Sequence, residues 1–482
     1  MQILVERKPI GEIRVEALIL AIFEGEKGFS LDAAELIDSG EVTCRPLELT
    51  LIHNPKGMAT IRVLLAGAGR SEQFEPAQLS KLIGAAVRYL KSRSVKTIAF
   101  EMIAGRDGRD WASAAVEGAV LGSFEPDRYK TSGDKKSVES FALVAVEGMN
   151  EIEEGATRGR ILAEAQNFAR AMVNEPSNIK TPRAVAEAAV RMAAKYGLES
   201  EIFGREEMVQ LGMGALLGVA QGSAEPPTFV IVRYSPSFEH SQVHLGLVGK
   251  GVTFDAGGIS IKPAYGMQKM KNDMAGGAAV LGAMRAIAQL KPEIRVTAFI
   301  PCVENMPSGC AQRPGDIVTT MSGKTVEVVN TDAEGRLILA DALAYARKQG
   351  CTHIVDVATL TDAITVALGH QRMGLFTNHD ELRERVLRAS EAEGERMWHM
   401  PLDEDYKEYL SSSFADLANV GPRFGGAVSA ACFLKEFAAE TPWVHLDIAG
   451  SAWLDDGRPH LCKGATGLPV KTLVRLAADW TD

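Results

Sequence analysis

Residues 326–344 read VEVVNTDAEGRLILADALA, an apolar run, a polar segment and a helical pattern in succession. The first four residues are typical of a strand, and the apolar spacing from Leu337 onward is typical of a helix. Between them lie Asp332, Glu334 and Arg336. Side chains two residues apart diverge on a helix, so the two carboxylates converge on one cation only in a loop or an extended segment. Such a strand end is where open α/β sheets bind ligands, although the segment alone also fits a solvated acidic turn.

A second segment of the same kind, LGLVGKGVTFDAGG at 245–258, ends an apolar strand in polar residues among glycines. It supplies Lys250 and Asp255, while Asp273 lies at the start of a predicted helix rich in glycine and alanine. Together with the acidic pair of the first segment, four carboxylates would be crowded at one place. Buried charges must be paired or bind metal, so such a cluster requires cations. Oxygen-rich clusters of this kind hold two divalent ions ~3.5–4 Å apart, and we predict a two-metal site.

These two segments resemble the signature blocks of the leucyl (cytosol) aminopeptidase family. The resemblance extends in order over roughly 160–482, and NTDAEGRL is its most specific part. Five further stretches carry it: VNEPSN at 173–178, GMGALL at 212–217, DVATLT at 356–361, HLDIAG at 445–450 and KGATG at 463–467. The first 150 residues are similar only in general pattern.

The resemblance implies a role for each ligand. Asp255 and Glu334 would bridge two ions, Asp332 would complete one site, and Asp273 and Lys250 would complete the other. A lysine binds metal only as the neutral amine, so its pKa must fall well below the reference value of about 10.4. Two adjacent cations would lower it. The alternative is that Lys250 only pairs with one of the carboxylates.

The ligand-bearing segments contain no histidine, and the chain has no HExxH motif. We therefore predict an oxygen-rich site for Zn²⁺, Mn²⁺ or Co²⁺. The resemblance implies zinc, with manganese or cobalt able to replace one ion. It also implies that Lys262 binds the scissile carbonyl oxygen and that Arg336 holds a bicarbonate acting as the general base. The alternative for Arg336 is simple neutralisation of Glu334.

The resemblance implies an exopeptidase, because the two metals would also bind the free α-amino group of a peptide. Met270 and Thr359 match positions that shape the pocket for the first side chain, which favours leucine-like residues; both also fit an ordinary core. Asp362 stands where relatives usually carry glycine. It either lies near the substrate, or Thr361 or Asp362 caps the helical turn 363–368.

The chain alternates between strand-like and helical patterns, which predicts an α/β protein of two domains, each a mixed, mostly parallel sheet flanked by helices. We predict an N-terminal domain at 1–150, implied to be macro-domain-like, a linker helix at 151–175 and a di-metal peptidase domain at 176–482. Predicted strands lie at 15–23, 61–66, 95–100, 141–146, 229–233, 243–248, 295–300, 326–329, 353–357 and 444–448. Predicted helices lie at 78–92, 111–121, 183–195, 276–290, 337–347, 381–393 and 427–438.

Composition narrows the function classes. A net charge of −10 argues against a nucleic-acid-binding surface over the whole molecule. The six cysteines form no CxxC pair, and we expect reduced core thiols. The first eight residues lack a signal-peptide core, and no run of about 18 apolar residues occurs. We therefore expect a cytoplasmic enzyme without a membrane partner.

The predicted function is a two-metal exopeptidase that releases N-terminal amino acids from peptides. The resemblance further implies a homohexamer built as a dimer of trimers. A hexameric DNA-binding or regulatory protein is the alternative, since some bacterial relatives act on DNA. A metal-dependent phosphoesterase would also fit two bridging carboxylates, but it leaves NTDAEGRL unexplained.

Overall fold

The computed structural model describes residues 1–25, 36–37, 39–106, 108–237 and 242–480. The chain forms two compact units, the first made of Met1–Asn167 with Asp455–Gly464 and the second of Phe168–Leu454 with the chain from Ala465 onward. One long helix, Met149–Asn174, runs over the predicted linker stretch and contains the division between the units. The predicted domain boundaries at 150 and 175 stay predictions.

The first unit is built on a sheet with the strand order β1-β6-β5-β2-β4-β3, parallel throughout except for the β3–β4 pair. The strands are β1 (Gln2–Arg7), β2 (Ala17–Phe23), β3 (Leu49–His53), β4 (Arg62–Gly69), β5 (Thr97–Glu101) and β6 (Ser140–Ala145), and the helices are α1 (Pro76–Ser92), α2 (Arg109–Ser123) and the start of α3 (Met149–Asn174). Side chains on β2 alternate between two hydrophobic clusters, with Ile19 in one and Leu18 and Leu20 in the other. Both faces of the sheet are therefore buried, as in other parallel sheets.

The second unit contains the elements that form the candidate site. Its strands are β7 (Glu199–Phe203), β8 (Thr228–Tyr234), β9 (His244–Gly249), β10 (Gly251–Asp255), β11 (Arg295–Asn305), β12 (Ile317–Thr319), β13 (Thr325–Glu327), β14 (His353–Ala358), β15 (Met373–Thr377), β16 (Met397–His399), β17 (Leu417–Ala418), β18 (Trp443–Asp447), β19 (Trp453–Leu454) and, in the returning segment, β20 (Gly464–Ala465). Its helices are α4 (Pro182–Tyr196), α5 (Arg205–Gln210), α6 (Gly214–Ala220), α7 (Ala275–Leu290), α8 (Glu334–Lys348), α9 (Asp362–Leu368), α10 (Asp380–Ala392), α11 (Gly426–Ala438) and α12 (Val470–Ala478).

A large mixed sheet organises this unit, with the strand order β16-β15-β18-β14-β9-β11-β8-β7 and β10 paired with β11. Strands β18, β14, β9 and β11 run parallel to their neighbours in this series. Helix α7 packs closely against them. This is shown by Gly276, where an added Cβ would lie only 2.0 Å from the Val357 carbonyl oxygen. The glycines at the start of α7 therefore allow the helix backbone to approach the strands.

The strand predicted at 326–329 is only partly correct. Strand β13 ends at Glu327 and belongs to a small sheet, β12-β13-β17, and not to the large one. Its partners are distant in sequence, so the local apolar pattern did not reveal the sheet to which it belongs. Helix α8 begins at Glu334, three residues before the predicted start.

The other predicted strands and helices are present, with ends shifted by a few residues. All six cysteines are free thiols, as expected, but Cys310 is exposed and is not a core residue. No helix in the described part of the chain has the length and hydropathy needed to cross a membrane.

Candidate active site

Two neighbouring strands place Lys250 and Asp255. Lys250 lies between β9 and β10, and Asp255 is the last residue of β10. Asp255 Oδ1 accepts hydrogen bonds from Gly257 N and Asn305 Nδ2, both at 2.9 Å. Gly257 has a φ of 89°, which favours glycine and turns the chain directly after the carboxylate. This turn directs the next segment back across the strand ends.

The buried Lys250 ammonium joins three parts of the chain. Its Nζ forms ion pairs with Asp273 Oδ2 at 2.9 Å and with Glu334 Oε1 at 2.7 Å, and it donates a hydrogen bond to the Thr359 carbonyl oxygen at 2.9 Å. Asp255, Asp273 and Glu334 each offer one carboxylate oxygen within 4.8 Å of the others. The structure thus brings together three of the four predicted acidic ligands around Lys250.

Lys262 joins the fourth acidic ligand to the cluster. Its Nζ lies 2.8 Å from Asp255 Oδ2 and 2.5 Å from Asp332 Oδ1. Asp332 is held in its turn by the Asn330 side chain, whose Oδ1 accepts a hydrogen bond from Asp332 N at 2.8 Å. All five predicted metal ligands and Lys262 therefore form one contiguous group of alternating charges.

Burial and mutual repulsion set the ionisation of these groups. Burial, followed by the nearby carboxylates of Asp255 and Glu334, raises the pKa of Asp332 to about 6 although Lys262 opposes the shift. Burial lowers the pKa of Lys250, but Asp273 and the other carboxylates outweigh it and raise this pKa above its ordinary value. In the protein alone, Lys250 is thus a cation that compensates the acidic cluster.

The donor set fits divalent cations. Glu334 is 1% exposed, and its Oε2 has no hydrogen-bond partner among the described residues. A buried carboxylate oxygen without a donor is costly, and a hard cation would satisfy it. Four carboxylates in one place are the oxygen-rich ligands that such ions prefer.

Arg336 lies in the first turn of α8, on the wall of the same cavity. Its Nη1 donates to the Asn419 carbonyl oxygen at 2.9 Å, while its Nε is buried without a hydrogen-bond partner in the part of the chain described. Burial lowers the pKa of Arg336 to about 10, against the opposing effect of Glu334. This guanidinium remains a cation at neutral pH and has an unused donor.

Three polar residues that the sequence did not single out hold the site in place. Asn305 bridges Asp255 and the Thr331 carbonyl oxygen, at 2.9 and 3.0 Å. Asn419 donates to the Asn330 carbonyl oxygen at 2.7 Å. The third residue is Asp447. These partners lie 26 to 89 positions away along the chain, so local spacing carries no signal for them.

Asp447 organises the loop that follows β14. Its Oδ1 accepts from Leu360 N at 3.1 Å and its Oδ2 from Thr361 Oγ1 at 2.6 Å. One residue earlier in this loop, Thr359 Oγ1 donates to Asp273 Oδ1 at 2.8 Å. The loop is thereby tied both to the end of β18 and to the acidic cluster.

The cluster opens into a cavity of about 300 Å³. Met270, Thr359 and Asp362, the predicted substrate-pocket residues, all lie on its wall. Thr361 caps helix α9, since its Oγ1 accepts a hydrogen bond from Ile364 N at 3.2 Å. Asp362 is the exposed first residue of that helix and does not form the cap.

Residues 167–474 match the model of the cytosol aminopeptidase family, catalytic domain, and residues 26–133 match that of its N-terminal domain. The chain belongs to the cytosol aminopeptidase family. It is 62% identical over 480 residues, covering 100% of both chains, to a probable cytosol aminopeptidase of Solibacter usitatus. It is 47% identical to the probable cytosol aminopeptidase of Acidobacterium capsulatum, over 92% of this chain and 89% of that one.

Solved structures of cytosol aminopeptidase relatives show the same fold. The bottromycin maturation enzyme BotP in complex with Mn is 35% identical, with a TM-score of 0.88 over 96% of this chain and 99% of that chain. A mutant of tomato leucine aminopeptidase is 36% identical, with a TM-score of 0.90 over 99% of this chain and 96% of that chain. The predictions of the family, of the two-domain α/β fold and of a metal-dependent aminopeptidase are confirmed.

Proposed function

We propose that this protein releases N-terminal residues, preferentially leucine-like ones, from peptides with the help of two divalent ions. Lys250, Asp255, Asp273, Asp332 and Glu334 would hold the ions. The convergence of carboxylates from three separate segments on one cavity is the observation that carries this proposal. The bound ions, Zn²⁺, Mn²⁺ or Co²⁺, would supply Lewis acidity for activating water and for engaging the free α-amino group.

Lys262 is proposed to donate a hydrogen bond to the scissile carbonyl oxygen and to the negative charge that develops there. The difference in exposure between the two lysines supports this division of roles. The Lys262 side chain is 20% exposed, whereas that of Lys250 is only 4% exposed. A substrate entering the cavity therefore meets more of Lys262 than of Lys250.

Arg336 is proposed to hold a bicarbonate ion by a planar, two-point contact, and the bicarbonate would accept the proton of the attacking water. The buried Nε without a partner supports this role. The composition of the cavity wall supports it too, because no histidine of the described chain lines the cavity and four of its five carboxylates, all but Asp362, are needed as ligands. An anion bound at Arg336 would supply the base.

The preference for leucine-like residues is supported by the apolar part of the cavity wall. Met270, Leu360, Ala363, Val420 and Ala449 line it together. Burying a leucine side chain against such a surface contributes about 1.5–3 kcal/mol. An aliphatic first residue would therefore bind better than a small or acidic one.

A cytoplasmic homohexamer is proposed as the working assembly, in line with the family resemblance. Large apolar side chains that are exposed on the single chain support association with further copies. Phe414, Phe424 and Tyr265 are 77%, 81% and 99% exposed. Large apolar side chains left exposed on one chain are candidates for burial against another copy of it.

Hydrolysis of leucine p-nitroanilide tests the proposed function directly. Metal-free protein would be reloaded with Zn²⁺, Mn²⁺ or Co²⁺ and compared with the metal-free form. We expect turnover only after reloading, and no cleavage of the same peptide bond when the α-amino group is acetylated. Equal turnover of the acetylated substrate would contradict an aminopeptidase, and turnover without metal would contradict a metal-dependent one.

A further inference from the structure

The Asp362 carboxylate lines the cavity without a partner. Among the described residues it takes part in no hydrogen bond or ion pair. The cap of α9 does not need it, because Thr361 accepts the hydrogen bond from Ile364 N. The backbone that leads to it is held by Asp447 at Leu360 and Thr361. Asp362 is thus a carboxylate on the cavity wall that no described residue pairs with.

The three cations that the described part of the chain places on the same wall have their contacts with other groups. Lys250 contacts Asp273 and Glu334, Lys262 contacts Asp255 and Asp332, and Arg336 donates to the Asn419 carbonyl oxygen. None of these groups is paired with Asp362. An additional cation for Asp362 must therefore come from a molecule that enters the cavity.

The residues that line the cavity with Asp362 indicate which kind of cationic side chain fits there. Leu360 lies two residues before it and Ala363 one residue after it, and both line the cavity together with Met270, Val420 and Ala449. Lysine and arginine combine an apolar stem with a charged end, and they bury the stem while the charge seeks a polar partner. These apolar side chains and one free carboxylate in the same cavity match such side chains better than they match an acidic or a short one.

We propose that Asp362 is a specificity-determining residue that directs the enzyme to peptides whose N-terminal residue is lysine or arginine, in addition to leucine-like residues. This inference rests on the proposed function. The apolar wall binds the stem of the first side chain, and Asp362 binds its cationic end. Because Asp362 is exposed, solvent screening limits the gain, and we expect about a tenfold effect on kcat/KM, which corresponds to ~1.4 kcal/mol.

The test compares kcat/KM for the p-nitroanilides of lysine, arginine, leucine and glutamate. The parent enzyme and Asp362→Asn would both be reconstituted with the same metal. We expect the lysine-to-leucine ratio to fall about tenfold in Asp362→Asn, and Asp362→Glu to retain most of the preference. The asparagine variant preserves the side-chain shape, so a change in the ratio reports the charge.

Asp380→Asn is the matched control. Asp380 is the exposed first residue of α10, it follows a capping side chain as Asp362 does, and it is not on the cavity wall. It differs from Asp362 in that Arg383 forms an ion pair with it. Its replacement should leave the lysine-to-leucine ratio unchanged. An equal fall in that ratio in both variants would mean a general charge effect and would overturn the inference.

Other outcomes are also decisive. Leucine turnover with a lysine-to-leucine ratio that does not depend on Asp362 would overturn this inference and leave the proposed function standing. Dipeptides with lysine at the first or the second position locate the effect, and a change confined to the second position would also overturn it. If the reconstituted parent cleaved none of the amides, the proposed function would fail and this inference with it.

Discussion

The close approach of Lys250 explains why Gly335, the only glycine of NTDAEGRL, has no side chain. An added Cβ at Gly335 would lie 2.7 Å from Lys250 Nζ and 2.8 Å from Lys250 Cε. Lys250 cannot move away freely, because its ammonium is held by Asp273, Glu334 and the Thr359 carbonyl oxygen. The glycine therefore makes room for the lysine inside the ligand cluster.

Gly335→Ala should displace Lys250 and weaken metal binding. At other metal sites, changes to the groups that support the ligands cost about 10- to 100-fold in metal affinity or activity, and we expect a loss in that range. Metal titration and kcat/KM for leucine p-nitroanilide measure it. Gly309→Ala is the control, since nothing lies within 4 Å of an added Cβ there. Parental metal affinity in Gly335→Ala would show that Lys250 is not constrained as described.

Arg336→Lys should lower kcat more than it raises KM. The charge survives, but a lysine cannot reproduce the planar two-point contact with bicarbonate. Loss of a general base typically costs about 10²–10⁴-fold, and we expect kcat to fall by at least about 100-fold. Added bicarbonate should stimulate the depleted parent enzyme and barely affect the variant. A bicarbonate-depleted parent with full activity would require another base.

The sequence singled out the proposed ligands but not the residues that hold them. Lys250, Asp255, Asp332 and Glu334 lie within two short segments whose spacing has chemical meaning. Asn305 contacts Asp255 from a different strand end, and its own sequence context is that of an ordinary apolar strand. Such residues are recognisable only after the strands are paired.

At the scale of elements, the carboxyl ends of β10, β14 and β18 position the site. Asp447 ends β18, and Asp255 ends β10. Thr359 follows β14 and links the loop after that strand to Asp273. The prediction that the site lies at strand ends therefore holds for β10, while Glu334 begins a helix after the small sheet. Glu334, as the first residue of α8, contributes its carboxylate to the cluster.

Asp447→Asn should disturb the loop at Leu360 and Thr361 without removing a ligand. The carboxylate accepts from Leu360 N, Thr361 Oγ1 and Ala449 N, whereas an amide offers only one acceptor oxygen. Hydrogen bonds to charged groups are worth about 1.5–3 kcal/mol, so we expect KM for leucine p-nitroanilide to rise about tenfold. The kinetics of Asp447→Asn, with circular dichroism to verify folding, measure this. An unchanged KM would show that the loop keeps its place without Asp447.

At the scale of the molecule, the alternation of strands and helices predicted both α/β units, because buried parallel strands and amphipathic helices have distinct periods. Short strands such as Glu199–Phe203 and Met397–His399 were missed, since so few residues show no clear period. The segment Asp455–Gly464, which belongs to the first unit, was missed as well. Its placement depends on contacts distant in sequence, and no local pattern encodes them.

The mass of the particle in solution tests the proposed hexamer. Size-exclusion chromatography with light scattering should give six times the chain mass of 51.8 kDa. Exposed apolar side chains such as Phe424 would be buried in the assembly, which favours association. A particle with the mass of one chain at micromolar concentration would contradict the proposed assembly. It would leave the assignment of the metal ligands intact.

Metal content measured together with activity tests whether the acidic cluster holds two ions that peptide hydrolysis requires. Mass spectrometry of metals and leucine p-nitroanilide turnover would be measured on the parent and on Glu334→Gln, with circular dichroism to verify folding. Glu334 lies in the cluster and has a free buried oxygen, and the amide preserves its shape while removing the charge. We predict two ions per chain in the parent, at least one fewer in the variant, and loss of turnover. Full metal content with parental activity in Glu334→Gln would contradict the proposal that Glu334 helps to hold two required ions.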